Sequence, residues 1–267
     1  MTTSPPRSSP EGGAGGADDA GGTPGPPLGE GAFSQATGRG LEDAGAAEDR
    51  RRYRAYQLEL IAPHCGPSVL EVGAGLGDFA AQFGHLDRLV VTDVDPGAVA
   101  AMARRFADRP EVEARRLDLD DPATLEIGRP VSAVVAINVL EHIEEDADAL
   151  ERLAGLVEPG GRVVMFVPGY PQLYGEFDRL VGHVRRYTPA VLTAAFERAG
   201  LQPVDVRPVN LLGGIAWWAT VRRGGVGAPN PRLVRAYDRW VVPTTRFVER
   251  RVRPPFGQSV LGVAAVP

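Results

Sequence analysis

The sequence predicts an open α/β fold: a doubly wound, mostly parallel seven-stranded sheet with helices on both faces and a helical insertion between strands six and seven. Three observations carry this. From residue 51 onward, short runs rich in Val, Ile and Leu alternate with segments of helical periodicity. The first such run, "SVLEVGAG", breaks into a glycine turn, as the opening βα turn of a doubly wound sheet does. Each of the first four runs also ends on or near a polar residue, so that one edge of the sheet presents groups to a ligand.

Residues 1–48 are dominated by Gly, Pro, Ala, Ser and acids, and Leu28, Phe33 and Leu41 stand isolated among them. Such a stretch cannot bury enough apolar surface to offset its conformational entropy, so a disordered tail is expected there and one domain over 49–267. Tyr53, Tyr56, Leu58 and Ile61 recur at helical spacing and predict an amphipathic helix ending before Pro63. "SVLEVGAG" is the first strand, and "DFAAQFG" is read as opening a helix. "RLVVTDVD" is the second strand, followed by the helix "PGAVAAMARRFA" with proline in its first turn. "EVEARRLD" and "VSAVVAINVL" are the third and fourth strands. The helix "DADALERLAGLV" puts Leu150, Leu153, Ala154 and Val157 on one face and is expected to stop at "EPGG".

"GRVVMFVPG" is the fifth strand. In "YTPAVLTAAFERAG", Thr188 is placed as N-cap, Pro189 in the first turn and Gly200 as the stop. "PVDVRPVN" and "SVLGVAAVP" are strands six and seven. The insertion between them, about 211–258, holds Trp217, Trp218 and Trp240, and from 213 to 257 carries nine arginines against Asp238 and Glu249. Within it "PNPRLVRAYDRWVV" has helical spacing.

Composition removes several chemistries. The net charge of -5 specifies no partner, and no run approaches the roughly 18–20 apolar residues of a spanning helix. Cys65 is the single cysteine, which excludes an intrachain disulfide and any multi-thiolate metal site. With no apolar signal core at the N-terminus, a cytoplasmic location is expected. Every basic residue is arginine apart from histidine, so Schiff-base catalysis and a P-loop lysine are both excluded.

That leaves two readings of the glycine turn. Gly73, Gly75 and Gly77 make G-x-G-x-G, and Asp78 stands where the dinucleotide fingerprint G-x-G-x-x-G needs its third glycine. Glu71 lies just before the turn. Asp93 ends the second strand, where a carboxylate can accept both ribose hydroxyls, and Asp95 is read as a cap of the next helix. Asp118 ends the third strand and "INVLEHI" the fourth.

In order and spacing, "VLEVGAGLG", "VTDVDPGAV", "RLDLDD" and "NVLEHI" resemble the motifs of class I S-adenosylmethionine-dependent methyltransferases, over about residues 51–210. The resemblance implies a Rossmann-like sheet and S-adenosyl-L-methionine as cofactor. It implies that Glu71 with Gly73, Ala74, Gly75 and Gly77 forms the turn under the methionine part. Asp93 would hold the ribose and Val94 the adenine, Asp118 the adenine amino group with Leu119 beside it, and Asn138 and Val139 the sulfonium end. Tyr53 on the first helix is counted among the cofactor contacts. Some quinone-biosynthesis methyltransferases hold a metal here with two Glu and a His. This sequence has Asn138 at the first of those positions, so no metal is expected. Glu141 and His142 read equally as a solvated helix start.

The loop "GYPQLYGEFDRLVGHVRRYT" follows strand five and resembles a "LYG..D...GH.RRY" signature of a methyltransferase subgroup encoded with or fused to glycosyltransferases; "PPFGQS" extends the likeness. Tyr170, Tyr174, Asp178, Arg186 and, from the insertion, Trp217 are expected to contact a small-molecule acceptor. His183 is the first candidate general base, with His142 second and Tyr187 as a further catalytic candidate. Arg185 could join Arg186 in clamping an anionic acceptor, while His64 and His85 are read as incidental. The insertion is expected to cover the acceptor pocket, with peripheral contact of 213–254 to an anionic membrane surface as a second reading.

The expected activity is methyl transfer from S-adenosylmethionine to an oxygen, nitrogen or carbon of a natural-product, sugar or lipid-linked acceptor. An NAD-dependent oxidoreductase is the first rival, opposed by the G-x-G-x-G spacing and the "NVLEHI" segment. A nucleic-acid methyltransferase is the second; it would call for a basic core face and a base-gripping tetrapeptide of the [ND]-P-P-[YF] kind, where "NVLE" stands, so no nucleic-acid partner is expected. A non-catalytic binder that kept the fold is a third, opposed by the carboxylates at 71, 93 and 118.

Overall fold

The computed structural model describes residues 50–222 and 231–267, and the tail expected over 1–48 lies outside them. The strands are β1 (Ser68–Val72), β2 (Arg88–Asp93), β3 (Val112–Arg116), β4 (Val131–Ile137), β5 (Val157–Pro168), β6 (Gln202–Val209) and β7 (Ser259–Ala265), arranged β3-β2-β1-β4-β5-β7-β6. β1 pairs in parallel with β2 on one side and β4 on the other. The chain therefore moves outward from β1 to β3 and then crosses back to β4. The carboxyl end of β1 is a switch point, where open α/β sheets leave a crevice. β7 is antiparallel to both β5 and β6 and inserts between them.

Period-two alternation fills both faces. Leu70, Val134 and Ala136 point into a core shared with α3 (Asp146–Ala154) and α5 (Pro189–Arg198), through Leu150, Leu153, Leu192 and Phe196. Their neighbours Val69, Val135 and Ile137 point into the opposite core with Ile61 of α1 (Arg51–Ile61) and Met102 of α2 (Pro96–Arg105). Asp95 caps α2 by accepting from Gly97 N at 2.7 Å, and Thr188 caps α5 by accepting from Val191 N at 3.3 Å.

Two elements depart from the sequence reading. "DFAAQFG" forms only a 3₁₀ turn at Ala80–Gln82. The stretch is pinned by buried Phe79, Ala80 and Phe83, and little chain remains before β2 begins at Arg88. "EPGG" does not end a helix: α3 has already stopped at Gly155, and β5 starts at Val157. The four residues sit where the pairing with β4 shifts register between Val131 and Ala133, and Gly160 there has φ +79°.

The loop after β5 folds into a 3₁₀ turn (Pro171–Leu173) and the short helix α4 (Glu176–Val181), neither anticipated as an element. The insertion consists of α6 (Leu211–Arg222), α7 (Pro231–Ala236), a π-turn (Tyr237–Val241) and α8 (Val242–Glu249). The π-turn falls just before Pro243, which has no N–H to donate to the preceding turn. This insertion grips α1. Asp238 accepts from Arg52 N (3.2 Å) and Tyr53 N (2.8 Å), and Glu249 accepts from the Tyr56 hydroxyl (2.5 Å) and Leu211 N (2.8 Å). Among the described residues no helix is long and apolar enough to cross a membrane.

Candidate active site

β1 ends in a turn whose glycines 73, 75 and 77 have φ of +67°, +57° and +77°, a region that carries a steric cost for residues with a Cβ. Gly73 is obligatory for a second reason, since a Cβ there would lie 2.6 Å from Val139 Cγ2. Gly75 has nothing within 4 Å of where its Cβ would be, so the turn presents an open face. The turn is held by the neighbouring strand: Ala74 N donates to Thr92 O (2.8 Å) and Gly75 N to Asp93 Oδ2 (2.9 Å). The other Asp93 oxygen accepts from Asp95 N at 2.9 Å, which fixes the buried carboxylate at the end of β2. Each of these oxygens keeps acceptor capacity for a hydroxyl.

Glu71 is buried beneath the turn. Burial first, and Asp78 after it, push its carboxyl up to about 8 against the opposing pull of Arg54 and Arg105. Its Oε2 has no hydrogen bond. A buried carboxyl oxygen without a donor, beside an open glycine turn, fits a cationic ligand better than a pyrophosphate. The donor set therefore fits S-adenosylmethionine, whose sulfonium and ammonium are both cationic.

Val94, 40% exposed, offers an apolar surface next to Asp93. Asp118 lies two residues past β3, bound to Arg116 at 2.7 Å and accepting from Asp120 N at 3.1 Å, with Leu119 partly buried on the core. Asn138 leaves β4 with φ +54° and donates its N–H to Phe166 O at 2.9 Å, which turns the chain so that Val139 packs over Gly73. Thus Glu71, the glycine turn, Asp93, Val94, Asn138 and Val139 converge on the switch point, and Asp118 flanks it. Tyr53 instead faces the insertion, its ring 6.4 Å from that of Tyr237. Sequence reasoning missed Arg54 and Arg105. Arg105 donates to Leu76 O (2.8 Å) and Asp78 (2.5 Å), bracing the turn from α2, and nothing in its spacing marked it.

The acceptor-side residues form a network that turns inward. Asp178 is fully buried and accepts from Gly175 N (2.8 Å), Arg186 Nε (2.8 Å) and His183 Nδ1 (2.7 Å). Burial works to raise its pKa, but the His183 and Arg186 bonds outweigh that and hold it below the usual range. Asp178 and Arg186 are therefore corrected from acceptor contacts to the residues that orient His183. Tyr174 donates to His183 O at 2.7 Å, and Tyr170 to Pro255 O at 2.9 Å. Trp217 roofs the loop: its indole donates to Leu173 O (3.0 Å), its ring meets Phe177 at 5.3 Å, and the Arg186 guanidinium sits 5.4 Å from its centroid. Arg185 binds Asp146 at 3.0 Å, whereas Arg186 binds Asp178 at 2.8 Å.

One catalytic candidate is also corrected. Tyr187 is fully buried, and its hydroxyl is shared between Leu140 O and Asp146 Oδ2, with burial and Asp146 pushing its pKa well up; it anchors the core. His142 is pushed down to about 4, by burial first and by His183 second, against the Gly182 carbonyl. His183 is buried, with Nε2 3.7 Å from Glu141 Oε1. Glu141 is fully buried rather than solvated, and it brings the donor atoms of Glu141, His142 and His183 within 4.8 Å of one another. The expectation of no metal rested on Asn138; the structure supplies His183 from another segment.

The strand order with antiparallel β7 is that of the class I methyltransferase fold, and a carboxylate-flanked glycine turn stands at its switch point. The chain matches, over residues 70–163, the family model described as "Methyltransferase domain". It is 35% identical over 113 residues to an uncharacterized methyltransferase of Mycobacterium tuberculosis, covering 41% of this chain and 56% of that one. It is 28% identical over 183 residues to a "probable S-adenosylmethionine-dependent methyltransferase" of Mycolicibacterium smegmatis, covering 64% and 67%. Among solved structures it is similar to the geranyl diphosphate C-methyltransferase of Streptomyces coelicolor, with a TM-score of 0.52 at 16% identity over 80% of this chain and 77% of that one. The chain spans about half the length of several curated relatives it matches, 41% of one and 56% of another.

Proposed function

We propose that the protein transfers a methyl group from S-adenosylmethionine to a nucleophilic oxygen, nitrogen or carbon of a small molecule. The observation that carries this is the open-faced glycine turn at the switch point, with Glu71 beneath it and Asp93 beside it. S-adenosylmethionine supplies an electrophilic methyl group on a sulfonium whose departure needs no acid. Asp93 would accept from the ribose hydroxyls, Val94 would cover one adenine face, and Asp118 would take the adenine amino group. Glu71 would face the cationic methionine end, and Asn138 and Val139 would bound the reacting centre.

On the acceptor side the chain's work is alignment and exclusion of water, effects worth roughly 7–11 kcal/mol in favourable cases. The aromatic roof of Phe177 and Trp217 over the loop supports a small, partly apolar acceptor such as a natural product, sugar or lipid-linked molecule. "NVLE" at the end of β4 gives no support for a nucleic-acid substrate. Trp240 and Phe247 are 66% and 61% exposed with Arg239 and Arg251 against their rings, which supports a peripheral contact of 213–254 with an anionic membrane surface. The single cysteine accords with a cytoplasmic setting.

Calorimetric titration with S-adenosylmethionine, S-adenosylhomocysteine and NAD tests the reading. Binding of the first two, lost in Asp93→Ala, is expected. Binding of NAD alone would overturn it.

A further inference from the structure

We propose that the outer face of the insertion, along α7 and α8, is a docking surface for an anionic lipid bilayer, and that α1 carries the effect of docking to the cofactor turn. Leu233, Trp240 and Phe247 follow one another at intervals of seven, a spacing that returns side chains to one side of a helix. They are 69%, 66% and 61% exposed. A row of large apolar side chains in water marks an interaction surface more often than it stands idle.

Charge is sorted across the same segment. Asp238 and Glu249 are the two acids between residues 213 and 257, and both turn inward. Asp238 is buried against the first turn of α1, and Glu249 binds the Tyr56 hydroxyl and Leu211 N. Val242 and Thr245, both buried, complete that inner side. On the outer side the Arg239 guanidinium lies 5.4 Å from the Trp240 ring centroid, and that of Arg251 lies 3.8 Å from the Phe247 centroid. An open hollow of about 530 Å³ beside Phe247 is lined by Pro243, Arg246, Arg250 and Arg251. Glu59 of α1 pairs with Arg246 and Arg250, so one carboxylate meets three guanidiniums there. That cationic surplus suits a lipid phosphate.

Shape and chemistry select the occupant. The exposed side chains stand on the convex side of a helix, which a fluid interface accepts without a matching groove. Trp and Phe with arginine against the ring span the boundary, the ring entering the apolar layer while the guanidinium stays among the head groups. Leu233 and Val252, both exposed aliphatics, gain from lipid and gain nothing from phosphates alone, which favours a bilayer over a nucleic acid.

The inner side links this face to the site. α1 is held at its N-terminus by Asp238, through Tyr56 by Glu249, and through Glu59 by Arg246 and Arg250. The same helix supplies Arg54, whose charge acts on Glu71 under the glycine turn. It also supplies Ile61, which shares its core with Phe79, two residues past Gly77. Docking that steadies the insertion steadies α1 and favours the bound cofactor, and the coupling is reciprocal. The surface stands apart from the methyl-transfer reading, while its effect on the cofactor rests on that reading.

The test is flotation of the full-length protein with phosphatidylcholine vesicles, with and without phosphatidylglycerol, and calorimetric titration of S-adenosylhomocysteine in the presence of each. Binding to the anionic vesicles alone is expected, weakening as salt is raised. Trp240→Ser and Phe247→Ser should each lower the partition coefficient by about 10-fold. Arg239→Gln and Arg251→Gln should each lower it by about 5-fold. Arg129→Gln, at an exposed arginine before the amino end of β4, should partition as the wild type does. Anionic vesicles should tighten wild-type S-adenosylhomocysteine affinity by about 5-fold and leave that of Trp240→Ser unchanged. Without vesicles every variant should bind S-adenosylhomocysteine like the wild type, which reports an intact fold. A wild type indifferent to phosphatidylglycerol, or Trp240→Ser and Phe247→Ser that partition like it, overturns the docking surface. Docking that leaves S-adenosylhomocysteine affinity unchanged overturns the transmission through α1. Docking without any S-adenosylhomocysteine binding overturns the methyl-transfer reading and leaves the surface standing.

Discussion

The glycine turn after β1 and the loop after β5 are held by different means. Gly75 and Asp93 are 18 residues apart and joined by one hydrogen bond between neighbouring strand ends. Tyr170 reaches Pro255 across 85 residues, and Trp217 reaches Leu173 across 44. The first half is built from backbone groups and strand-end carboxylates that neighbouring strands bring together. The second adds, to bonds within the loop, side-chain contacts between the loop and the insertion. Within one domain, the proposed cofactor turn is thus held locally in sequence, and the proposed acceptor loop also by long-range contacts.

Substitutions can break that contrast. The largest effect is expected from Asp93→Ala, which removes a ribose acceptor and the anchor of the Gly75 N–H together. Loss of about 3 kcal/mol, or roughly 100-fold in S-adenosylhomocysteine affinity by calorimetry, is expected. Next comes Glu71. Its folded pKa of about 8 is raised from an ordinary value near 4.5, so the unfolded chain ionises first as pH rises. Its contribution is complete below pH 4.5 and is lost progressively up to about pH 8, an amount on the order of a few kcal/mol in the cofactor-free protein. Denaturant midpoints measured across that window should fall, and Glu71→Gln should flatten the fall.

A smaller effect, confined to the other half, is expected from Trp217→Ala. It removes an edge-to-face pair, a cation–π contact and an indole hydrogen bond, and acceptor KM should rise by about 10-fold while S-adenosylhomocysteine affinity stays constant. If both move together, the two halves are less separate than the contacts imply. The smallest effect falls to Asp95→Ala, which removes the α2 cap bond to Gly97 N. About 1 kcal/mol of stability should be lost in a thermal melt, with cofactor affinity little changed.

The same contrast explains what could be read from the sequence. The seven strands, the capped α5 and the carboxylates at 71, 93 and 118 follow local rules of periodicity, capping and strand-end position. Asp178, Arg186 and Tyr187 carried the right chemistry in the right loop, yet their burial depends on residues such as Gly169, Asp146 and Leu140 that spacing cannot bring near. Glu141 was legible as part of "NVLEHI", but its place opposite His183 was not, because that pairing joins two segments about 40 residues apart. The turn at Ala80–Gln82 failed for another reason. Its apolar residues fit a helix, and the short connection to β2 overrode them.

The cap of α1 has a consequence in time. A ribosome makes Arg52 and Tyr53 long before Asp238, whose carboxylate their backbone N–H groups require, and Tyr56 long before Glu249. Strands β1 to β5 can pair while the chain is still emerging, but α1 waits for residues 238–249 before it is secured. A chain stopped short of residue 238 would carry an assembled glycine turn behind an unfastened α1. Synthesis through Glu249, ahead of the β7 strand that completes the sheet, is the event that fastens α1.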